Sequence, residues 1–167
     1  MKSQADIKQC LERFDELVRK RPSSGRFTTT TTARFTGGLS SEIEEGSWKF
    51  VCDMPESFGG DDTGPGPSFY GRAAIASCVT TGIAASFARE GIPLQSVQVD
   101  VDTDVDMSQK AGRSTPFLAF RMRVDVETSA AESQAKRLVH EAIEGSTWRG
   151  NTRTAFEVPV ETTINKR

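Results

Sequence analysis

Three cysteines and one histidine carry most of the chemical potential of this 167-residue sequence. Cys10, Cys52 and Cys78 cannot all pair within the chain, because three is odd, and no Cys-x-x-Cys or His-rich cluster stands at zinc-ligand spacing. A triad could be built only around His140, so histidine chemistry has little to work with. Thiol chemistry needs a thiolate: a nearby cation must lower the thiol pKa, and a nearby thiol must trap the oxidised sulfur before it advances irreversibly. Two further patterns invite a ligand. Asp100, Asp102, Asp104 and Asp106 offer oxygens for calcium, but alternate residues of a strand spread along a line with no glycine turn to fold them round an ion, so a solvated face is expected. The GGDDTGPGP stretch has the glycines of a phosphate cradle without the Gly-Lys-Ser/Thr ending. No metal and no cofactor is expected.

The elements that must position these residues follow from periodicity. Ile7, Cys10, Leu11, Phe14, Leu17 and Val18 recur at helical intervals over residues 3–20, and Pro22 and Gly25 end the run. Residues 26–35 are rich in threonine, whose β-branch suits a strand, and Gly37-Gly38 closes it, with residues 48–52 expected to return beside it as a hairpin. Residues 57–68 form a Gly/Pro loop, and Pro67 opens a helix over 68–90 that Gly91-Ile92-Pro93 terminates. That helix carries a stripe of small side chains, Gly71, Ala74, Cys78, Gly82 and Ala85, which lets a second helix or sheet approach closely. Strict alternation predicts strands over 97–107 and 117–127, with the Asp row of one facing Arg121 and Arg123 of the other. A helix over 130–144 and a last strand over 156–164 complete an α+β order with antiparallel sheets in one domain spanning 1–167.

Composition narrows the function. Twenty-one basic against 23 acidic side chains, with no basic run, speaks against a nucleic-acid surface. The charged N-terminus lacks the apolar core of a signal peptide, no 18-residue apolar run exists to span a membrane, and three potentially free thiols suit a reducing cytoplasm.

The Thr-rich strand ending in Gly37-Gly38, the loop ending in GPGPSFYGRAAIASC and the central helix with Cys78 embedded in it occur together with the downstream hairpin, helix and strand. In this order the sequence resembles the OsmC/Ohr family of osmotically induced and organic-hydroperoxide-resistance proteins, over residues 26–164, with residues 1–21 as an appended amphipathic helix. The resemblance implies an intertwined homodimer in which sheets from both subunits wrap two central helices. It implies further that Cys78 stands where the family's peroxidatic cysteine attacks a hydroperoxide.

Three other family roles are replaced. Ser68 stands for the activating Glu, Leu39 for the Arg that follows the Gly-Gly pair, and a Ser near position 146 for the resolving cysteine. Two readings follow: a one-cysteine peroxidase that needs an external thiol reductant, or a non-catalytic dimer that kept a cleft for a small apolar molecule. For Cys78 itself the alternatives are a reactive thiol and an inert one filling a helix interface. Cys10 and Cys52 read as core or surface thiols without basic neighbours, and His140 as decorating its helix. Phe69 and Tyr70, at the junction leading to Cys78, are the expected pocket aromatics with Ser68, whereas Trp48 and Trp148 are expected to pack. Arg72 falls on the wrong side of the helix from Cys78; Arg34 and Arg26 reach it only if the first strand bends over the helix.

Overall fold

The computed structural model describes residues 2–107, 117–153 and 159–164. Helix α1 (Gln4–Lys20) forms where the periodicity placed it, with Ser3 and Asp6 closing a reciprocal capping box at its start. A 3-10 turn at Pro22–Gly25 leads into a three-stranded antiparallel meander, β1 (Thr32–Gly37), β2 (Ser40–Glu45) and β3 (Trp48–Cys52). The expected hairpin is corrected here. β2 lies between the two strands, so β3 pairs with β2, and residues 26–31 precede the first strand instead of belonging to it. SSEIEE has one apolar residue and no alternation; two flanking strands make it a strand.

Register places Phe35, Ile43, Phe50, Trp48 and Cys52 on one face of this sheet and Arg34, Glu42, Glu44 and Lys49 on the other. The charged face is laced by the pairs Arg34–Glu44, Lys49–Glu42 and Lys49–Glu44. The apolar face is largely uncovered: Phe35 is 78% exposed, Trp48 70% and Phe50 50%.

Helix α2 (Pro67–Glu90) is the axis of the domain. Gly91 ends it at φ 69°, its N–H donating to the Ala88 carbonyl at 3.0 Å while Ile92 N–H donates to that of Phe87, and Pro93 follows. Strands β4 (Leu94–Val105) and β5 (Phe117–Thr128) form one hairpin, Val97 opposite Val126 and Val99 opposite Val124. Its inner face packs on a core of Val79, Ile83 and Phe87 from α2 with Leu138 and Ala142 from α3 (Glu132–Glu144). Phe87, Ile83, Val79 and Leu138 are each 2% exposed or less, so each contributes about 1.5–3 kcal/mol by burial. The small-residue stripe does meet a second helix: a Cβ built on Gly82 would stand 3.7 Å from the Ala142 carbonyl oxygen. On the outer face, Asp100 pairs with Arg123 and Asp104 with Arg121, so the Asp ladder is a solvated, ion-paired surface. No cluster of metal-ligating side chains is found among the described residues.

After α3 the chain turns into a short helix that the sequence did not announce, α4 (Thr147–Arg153). The strand expected over 156–164 is not formed where it can be seen: residues 159–164 have no regular structure, and 154–158 lie outside the described residues. No helix is long and apolar enough to cross a membrane among the described residues.

Candidate functional site

Cys78 lies in the middle of α2, half-buried where the start of α4 comes against it. Ser146, 5% exposed, sits at the entry to α4 and donates from Oγ to Cys78 Sγ at 3.3 Å. Its hydroxyl in turn accepts the backbone N–H of Arg149 at 3.3 Å. A serine hydroxyl has one proton; with a lone pair engaged by Arg149, that proton is directed to sulfur. Burial pushes the Cys78 thiol up, but the Ser146 hydroxyl and the backbone N–H groups of Trp148 and Thr147 outweigh it and hold the thiol below its ordinary value. The activating groups are thus neutral donors. No guanidinium among the described residues is hydrogen-bonded to the sulfur.

A buried carboxylate fixes the approach to α2. Asp53, 1% exposed at the end of β3, accepts Met54 N–H at 2.8 Å on Oδ1, and on Oδ2 the N–H groups of Asp61 at 3.2 Å and Thr63 at 3.1 Å with the Thr63 hydroxyl at 2.7 Å. These bonds, the Thr63 hydroxyl foremost, hold its carboxyl below the usual carboxylate range. The loop folds so tightly that a Cβ on Gly60 would fall 1.8 Å from the Met54 carbonyl oxygen, which leaves glycine as the one residue that fits. Tyr70 then ties the first turns of α2 to β3 by donating its hydroxyl to the Val51 carbonyl.

The expected pocket residues are not brought together. Phe69 and Tyr70 line a cavity of about 610 Å3 against Phe50 and Val51, whereas Ser68 lines a second one of about 1040 Å3 on another flank of α2. Arg34 is on the outer face of the meander, paired with Glu44, and lines neither, and Cys78 lines neither. Leu39 is exposed at the β1–β2 turn, beside Gly59. Trp148, expected to pack, lines the larger cavity at 54% exposure, together with Arg72 and Arg149. His140 is exposed on α3 and Cys52 is buried, as expected, but Cys10 does have a basic neighbour: Lys2 Nζ is 3.4 Å from its sulfur. Asp53, Arg149 and the donor geometry at Ser146 were missed. The signal for Asp53 was a strand-ending Asp before a Gly-Gly-Asp-Asp-Thr loop, and for α4 a Ser three residues before Arg149.

Comparison with known proteins bears on this arrangement. The family model described as OsmC-like protein matches residues 59–161, which contain α2, Cys78, the β4–β5 hairpin, α3 and Ser146. The chain belongs to the OsmC-like protein family. Solved structures share the fold. An OsmC-like protein from Mycoplasma pneumoniae superposes with a TM-score of 0.66 at 12% identity, covering 76% of this chain and 88% of that one. An organic hydroperoxide resistance protein OsmC from Legionella pneumophila gives 0.53 at 22% identity, over 77% and 92%. An organic hydroperoxide resistance protein from Elizabethkingia anophelis gives 0.59 at 18%, over 77% and 89%. No curated protein is significantly similar in sequence. In this OsmC-like chain Ser146 is in contact with the helix cysteine.

Proposed function

We propose that this OsmC-like protein reduces organic hydroperoxides through Cys78 alone, regenerated by an external thiol. The observation that carries the reading is the Ser146–Cys78 contact with the N–H groups of α4 behind it, which favour the thiolate without a cation. In the proposed cycle the Cys78 thiolate attacks the terminal oxygen of the hydroperoxide and the O–O bond breaks. The cysteine becomes a sulfenic acid, and the alkoxide takes a proton from water to leave as an alcohol. An external thiol then attacks the sulfenic sulfur, expelling water and forming a mixed disulfide. A second equivalent releases Cys78 as its thiol and leaves with the first as a disulfide. Ser146 takes the place of a resolving cysteine as a donor that cannot form the disulfide, which is why the thiol must come from outside. All three cysteines are free, and a reducing cytoplasm is the proposed setting.

The working unit is proposed to be a homodimer. The uncovered face bearing Phe35, Trp48 and Phe50 supports this, since apolar surface of that kind marks an interface. The test of function is consumption of cumene hydroperoxide with dithiothreitol present: wild type turns over, and Cys78→Ser does not. Equal inactivity of the two proteins defeats the proposal. A second reading, a binding protein without chemistry, is favoured by one observation, that Cys78 lines none of the three cavities described beside α2. It predicts no sulfenic acid on Cys78 at stoichiometric oxidant.

A further inference from the structure

The cavity of about 1040 Å3 between the first half of α2, the β4–β5 hairpin and α4 has a chemical character of its own. Its apolar lining includes Ile75, Phe117, Phe120, Met122 and Trp148. Among the described residues its charged lining is Arg72 and Arg149, with no acidic side chain, in a chain whose acidic residues outnumber its basic ones by 23 to 21. Arg72 makes one hydrogen bond, from Nη1 to Thr103 Oγ1 at 3.2 Å, and has no carboxylate partner among the described residues. Arg149, whose side chain is 23% exposed, donates from Nη1 to Glu144 Oε1 at 2.9 Å. A guanidinium carries five donors, so both retain donors for an anion. They come from two elements that line the cavity, Arg72 from α2 and Arg149 from α4.

We propose that this cavity binds an amphipathic carboxylate, its head held by Arg72 and Arg149 and its apolar chain lying against Phe117, Phe120, Met122 and Trp148. Arg is suited to the head because its planar fork matches a carboxylate. The volume stands at the upper end of small-molecule sites and leaves room for a long chain. This inference goes beyond the thiol reading and does not depend on it, because Cys78 does not line the cavity.

The test is isothermal titration of the full-length Cys78→Ser protein, which has no thiol chemistry at that position, with decanoate and with decan-1-ol as its neutral counterpart. Decanoate binds, and the double variant Arg72→Gln, Arg149→Gln weakens it about tenfold or more, while decanol affinity changes by less than about twofold. Because Arg149 also pairs with Glu144, Arg72→Gln alone is titrated as a second variant and weakens decanoate in the same sense. Unchanged decanoate affinity in folded Arg72→Gln protein, an equal loss for decanoate and decanol, or no decanoate binding at all, as a second copy of the chain filling the cavity would give, overturns the proposal.

Discussion

At the scale of single residues, the groups that meet the Cys78 sulfur are neutral donors. Neither a glutamate nor an arginine is present at the expected positions, but Ser146 donates to the sulfur and is itself oriented by Arg149 N–H. Cys78 is held below its ordinary pKa, so its thiolate fraction rises with pH earlier than that of a free thiol. Ser146→Ala removes the one side-chain donor. The midpoint of the pH dependence of iodoacetamide alkylation is then expected to move upward by about one pH unit, as loss of about 1–1.5 kcal/mol of hydrogen bonding implies. An unchanged midpoint would remove Ser146 from the account. Cys78 was singled out in the sequence by its position in the helix and by the preceding loop, which resemble the family. The Ser146 contact was not, because α3 and α4 must fold before residues 68 positions apart can meet.

At the scale of elements, periodicity served where one element buries one face. α1, α2, α3 and the β4–β5 hairpin all repeat apolar residues at the period of their structure, and they form where expected. β2 and α4 carry no such signal: the first is a strand by pairing, and the second is about two turns long and contains Gly150. Phe87 is fully buried between α2, α3 and the hairpin, so Phe87→Ala is expected to cost about 3–5 kcal/mol in urea unfolding. A loss below about 1 kcal/mol would place the core elsewhere. The loop over 54–66 is held by Asp53, whose carboxyl is depressed in the folded state. A depressed acid contributes stability that is present above its unfolded value and is lost as pH falls through its folded one. Amide exchange protection at Asp61 and Thr63, corrected for the intrinsic pH dependence of exchange, should therefore be lost as pH falls through the folded value of Asp53. Protection that does not change through that titration would mean that Asp53 does not hold the loop closed.

At the scale of the whole molecule, one chain encloses a core under α2 yet leaves an aromatic sheet face open, which the register of three strands explains and alternation in the sequence did not reveal. Trp48→Glu, on that open aromatic face, is expected to convert a two-chain species into a single-chain one by sedimentation equilibrium, without loss of helical circular dichroism. A wild type that sediments as one chain would contradict the dimer. The central claim, that Cys78 is the peroxidatic thiol of a one-cysteine enzyme, is tested most directly by treating the protein with one equivalent of cumene hydroperoxide in the presence of dimedone and mapping adducts by mass spectrometry. The account predicts a single sulfenic adduct on Cys78, with Cys10 and Cys52 unmodified and no adduct in Cys78→Ser. An unmodified Cys78, or adducts on Cys10 instead, would contradict it.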